Sequence, residues 1–86
     1  KRIIKNEYGS IGINLKKLMD DKMLTINEMS RFAKVRYETV RKYYNNDCYW
    51  YDGVTLAKFC YVLECDINQL LIYEPSQTLQ NSKIHG

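Results

Sequence analysis

With 86 residues, 45% of them hydrophobic, the chain has material for one small domain around one modest core. A net charge of +3 is too small to define a partner by itself, and no apolar run approaches the ~18 residues of a membrane span. Cys48, Cys60 and Cys65 are an odd number, match no zinc spacing, and stand with a single histidine, His85, in a polar tail. Neither a metal nor a disulfide framework is expected, no signal peptide is visible, and a reducing cytoplasm is the expected compartment. The chain begins at Lys1 rather than Met, as a piece of a longer protein would.

Charge is more telling in its distribution. Arg31, Lys34, Arg36, Arg41 and Lys42 stand against Glu38 alone between residues 31 and 42. From residue 52 to 74, Lys58 stands against Asp52, Glu64, Asp66 and Glu74. A basic first half and an acidic second half predict a dipolar surface.

Residues 1–10, KRIIKNEYGS, read as an N-terminal arm with one β-capable run, Arg2–Ile4, that either frays or reaches a partner. From Ile11 to Lys22 the apolar set Ile11, Leu15, Leu18 and Met19 recurs at helical spacing and predicts an amphipathic helix. The next stretch, LTINEMSRFAKVRYETVRKYYN over residues 24–45, reads as two short helices with a tight break. Thr25 and Glu28 form a capping box, T-x-x-E, and Ile26, Met29, Phe32 and Ala33 give the first helix an apolar face. The apolar phase changes at Lys34–Val35, and a second set follows at Val40, Tyr43 and Tyr44, with Val35 wedged between the helices. Opposite that second set stand Glu38, Arg41, Lys42 and Asn45, a polar and mostly basic face on a helix propped against another. A protein needs that arrangement to push side chains into a DNA major groove.

Asn45–Asp47 ends this helix, since Asn tolerates the left-handed conformation. Tyr43, Tyr44, Tyr49, Trp50 and Tyr51 are more aromatics than a plain loop needs. The favoured reading is that they close the core; a dimer surface, phosphate-contacting tyrosines, or a strand over 48–51 paired with Arg2–Ile4 are the alternatives. Leu56, Phe59, Cys60 and Leu63 then mark a helix over 54–63, with Cys60 as a small core residue. Asp66 and Gln69 cap a last short helix anchored by Ile67, Leu70 and Leu71, and Pro75 stops it. Residues 76–86 are polar and aperiodic, an expected disordered tail.

At Leu24–Thr25, Met29–Ser30, Ala33, Val35, Thr39–Val40 and Lys42 the chain resembles the helix-turn-helix of the phage-repressor family, the regulators similar to lambda repressor and Cro. LAKFCYVLECDINQLL resembles that family's closing pair of helices, so the likeness runs from about residue 14 to 73. Two positions depart from the pattern: Lys34 replaces the usual turn Gly, and Arg36 the usual Ser or Thr cap. The resemblance implies an all-α bundle of about five short helices over residues 11–75. It further implies binding of double-stranded DNA as a homodimeric transcriptional regulator.

By position, it assigns phosphate contacts to the start of the second helix, at Thr25 and Asn27, where Ile26 replaces a common Gln. Arg31 and Lys34 flank these. Tyr37, Glu38 and Lys42 fall at the base-reading places, with Arg36, Thr39, Arg41 and Asn45 beside them. No cofactor is implied. Catalysis has little support, because there is no His-centred dyad or Gly-rich phosphate loop and Asp20–Asp21 sits off the apolar stripe. A protein-interaction module, or an antitoxin-like protein on the same fold, is the alternative.

Overall fold

In a computed structural model, residues 8–75 are described. The Arg2–Ile4 run and the tail from Ser76 lie outside them. Along the described chain come β1 (Ser10–Ile13), α1 (Leu15–Asp21), α2 (Ile26–Ala33), α3 (Tyr37–Tyr44), α4 (Gly53–Leu63), α5 (Ile67–Leu70) and β2 (Leu71–Glu74). The five expected helices form, around a core of Ile13, Leu15, Met19, Met29, Ala33, Val40, Tyr43, Leu56, Phe59, Leu63 and Leu70.

Two expectations are corrected by the sheet. Helical spacing predicts Ile11 in the first helix, but it lies in β1 and is half exposed; the helix begins only at Leu15. Apolar spacing predicts Leu71 as a helical anchor, yet α5 stops at Leu70 and the chain turns extended. The two strands pair antiparallel, Ser10 with Glu74 through Ile13 with Leu71, adding a small sheet to the helical bundle. Gly9 leads into it at φ 90°, where a Cβ would sit 2.5 Å from the Glu74 carbonyl oxygen, so only glycine fits.

Each of the first four helices ends on a non-glycine residue in the left-handed region: Met23, Lys34, Asn46 and Glu64, at φ 53–62°. Asn tolerates that conformation, whereas the other three each store about 1 kcal/mol. Met23 is almost fully exposed and contributes nothing to the core. Met23→Gly should therefore stabilise the domain by roughly 0.5–1 kcal/mol, raising Tm by about 3–6 °C in a thermal melt.

The aromatic loop is corrected in part. Tyr51 does close the core, its ring centroid 5.9 Å from that of Tyr43, which in turn meets Phe59 edge-on at 5.3 Å. Trp50 and Tyr49 do not, being 89% and 78% exposed, and residues 48–51 form no strand. Phe32, placed on the core face of its helix, is likewise 56% exposed, and Ile67 is half exposed. Cys60 is half-buried against the core rather than inside it. Trp50→Ala should consequently leave Tm unchanged, where a buried Trp would lose ~3–5 kcal/mol.

Candidate nucleic-acid interface

The candidate interface lies on α2 and α3, so what holds these two helices matters first. Thr25 Oγ1 accepts from Glu28 N at 3.1 Å, and Glu28 Oε1 accepts from Thr25 N at 3.0 Å, completing the predicted capping box. The box consumes those two amides and leaves Ile26 N and Asn27 N at the positive end of the helix dipole. Lys34 adopts φ 56°, ψ 50° and donates its N–H to the Ser30 carbonyl. Ser30 adds a bond that the sequence did not announce: its hydroxyl donates to the Val35 carbonyl at 2.6 Å, while Val35 N donates to Ser30 O at 3.1 Å. This clamp holds a turn that lacks its usual glycine.

On α3, Val40 and Tyr43 are buried and Tyr44 is half-buried. The opposite face carries Glu38, Arg41, Lys42 and Asn45, at i, i+3, i+4 and i+7, all exposed. Arg36 caps α3 with extended backbone and no side-chain bond, so it too is exposed at the leading end, beside a half-exposed Tyr37. Thr39 is half-buried at the edge. Arg41 binds Glu38 Oε1 through Nη2 at 2.8 Å and Nε at 3.2 Å. Glu38 thereby orients the guanidinium and raises its pKa further. Both side chains are exposed, so the pair adds little to stability and mainly sets a direction.

Thr25, Asn27, Arg31 and Lys34 lie exposed on α2 and its turn, and Arg31 stacks over the Phe32 ring with its guanidinium carbon 5.6 Å from the centroid. The Lys34 carbonyl accepts from Lys58 Nζ at 3.4 Å, joining the turn to α4.

Three contacts seat α3 from behind. Tyr44 Oη donates to Asp20 Oδ1 at 2.8 Å, and Lys16 bridges the same carboxylate at 2.8 Å. Those two bonds, Lys16 first, hold the Asp20 carboxyl below the ordinary carboxylate range. Their contribution is present above the ordinary value and fades as pH falls through the lowered one. Asp20 and Asp21 are thus occupied by Lys16 and Lys17. Asp52 N donates to Tyr43 Oη at 3.0 Å, and Asp52 Oδ2 caps α4 by accepting from Thr55 N at 2.9 Å. Asn46, at φ 62° just past α3, accepts from Ile13 N at 2.9 Å and donates to Ile13 O at 2.9 Å, as a neighbouring strand would. Sequence reading missed this role because its partner is 33 residues away.

The half-buried thiols of Cys48 and Cys65 have pKa values raised by burial, which leaves them poor nucleophiles. Among the described residues no helix is long and apolar enough to cross a membrane.

Residues 14–76 match the Cro/C1-type HTH DNA-binding domain family, and the chain belongs to it. The fold is also that of a crystal structure of a Bacteroides fragilis protein proposed to bind DNA. The TM-score is 0.66 at 17% sequence identity, over 73% of this chain and all of that one. No curated protein matches.

Proposed function

We propose that the domain binds double-stranded DNA as a homodimeric, non-enzymatic transcriptional regulator of the reducing cytoplasm, with residues 11–75 as the binding unit. The observation that carries this is the α3 face: Arg36, Glu38, Arg41, Lys42 and Asn45 exposed together on a helix whose other side is buried. In this reading α3 enters the major groove. Lys42 or Arg41 donates to guanine O6 and N7, and Glu38 accepts from cytosine N4. Tyr37 packs on a thymine methyl or bonds a phosphate. Thr25, Asn27, Arg31 and Lys34 hold phosphates, with the amides at the α2 end turned to an anion. Eight residues of α3 read too few base pairs for tight selective binding, which favours two copies on two half-sites.

Gel-shift titration of a random duplex at two salt concentrations tests the reading. Apparent affinity should fall as salt rises, with a log–log slope of about −0.9 per neutralised phosphate. Absence of binding at low salt, or binding indifferent to salt, would reject it. A protein-interaction module is the second reading, favoured by the exposure of Trp50 and Tyr49.

A further inference from the structure

Helix α4 has an unusual composition for its position. Its sequence, GVTLAKFCYVL, is apolar on nearly all sides, with Lys58 its one charge. A helix apolar all round is normally covered all round. Here Leu56, Phe59 and Leu63 fill the core, while Val54, Ala57 and Tyr61 form a second stripe, i, i+3, i+7, that faces out. Val54 is 63% and Tyr61 85% exposed, and Phe32 of α2 extends the stripe sideways. The surface is continuous: Phe32 and Tyr61 line both a groove of about 270 Å³ with Val54, Ala57 and Lys58 and an adjoining one with Glu64 and Asp66.

Charge at the rim says what fits there. Lys58 borders the first groove and makes that part of the rim basic. Glu64 and Asp66 border the second groove, beyond the carboxyl end of α4, so the other part is acidic. Lys58 and Glu64 stand three residues either side of Tyr61, so two copies of α4 crossing antiparallel at Tyr61 bring the Lys58 of each opposite the Glu64 of the other. We infer that the outer α4 stripe with Phe32 is the surface through which a second copy of this chain docks, α4 against α4 in antiparallel sense. Tyr61 supplies the large aromatic anchor at the crossing, small Ala57 leaves room beside it, and Lys58 of each copy meets Glu64 of the other.

This rests on the homodimeric reading above and names where the copies meet; the DNA-binding reading stands or falls separately. The test is sedimentation of the full chain across a concentration series, with thermal melts and gel shifts run in parallel. Wild type should dimerise. Tyr61→Arg should weaken the dimer roughly tenfold or more while leaving Tm unchanged at concentrations where wild type is monomeric, since the side chain it replaces is exposed. Lys58→Glu and Glu64→Lys should each weaken self-association, and an equimolar mixture of the two should recover mixed dimers. A monomeric wild type, a Tyr61→Arg dimer of wild-type strength, or charge variants that fail to complement each other would overturn the surface. A dimer that behaves as expected yet binds no DNA would overturn the DNA-binding reading and leave the surface standing.

Discussion

Replacing Val40 with Asp should abolish the cooperative thermal transition of this domain. Val40 is fully buried on the inner side of α3, where the core closes over it. A carboxylate there finds no cation and no water, at a cost of several kcal/mol against a total stability of ~5 kcal/mol. Circular dichroism against temperature reads the result directly. A wild-type melt for this variant would mean that α3 turns a different side inward, and the whole exposed face assigned to DNA would rotate with it.

The second large effect is expected in sequence discrimination. Lys42 and Glu38 project from the outer face of α3, whereas Arg31 and Lys34 lie on α2 and its turn. Lys42→Ala and Glu38→Ala should narrow the gap between a selected operator and a scrambled duplex by ~1–3 kcal/mol per lost base contact. Arg31→Ala and Lys34→Ala should weaken both duplexes alike and reduce the salt slope by about one unit each. Glu38→Ala also releases Arg41 from its 2.8 Å bond. Arg41→Ala measured beside it therefore separates the loss of a reader from the loss of its support. If Lys42→Ala and Glu38→Ala leave the ratio intact in a selective protein, α3 is not the reader.

Much of this arrangement was legible in the sequence because it is local. A capping box spans four residues, and the phase change at Lys34–Val35 needs only the turns either side. Thr25, Glu28, Val40 and Leu56 accordingly fall where periodicity places them. Ile11 was misread for the same reason that Leu15 was read correctly: the two are four residues apart, a spacing a helix also uses. Only pairing with β2, some sixty residues downstream, makes Ile11 a strand residue. Trp50 and Phe32 were misplaced because hydrophobicity reports a preference for burial but not what supplies the cover. The bonds that seat α3, Asn46 to Ile13 and Tyr44 to Asp20, join residues 33 and 24 positions apart and leave no local signature.

The small sheet has a kinetic meaning beyond its size. Its register joins Ser10 to Glu74, so forming it closes a loop that contains every helix of the bundle. Closing so long a loop costs about 1.5 kcal/mol more in chain entropy than a connection of about ten residues. The α2–α3 contacts, by contrast, form between neighbours in the chain, where closure is fast. Folding should therefore run from the middle outward, α2 and α3 assembling first and the strands fastening afterwards. In native-state hydrogen exchange the same order runs backwards: the Gly12 and Asn14 amides should open before those of α3, so α3 keeps its shape after the sheet has come apart.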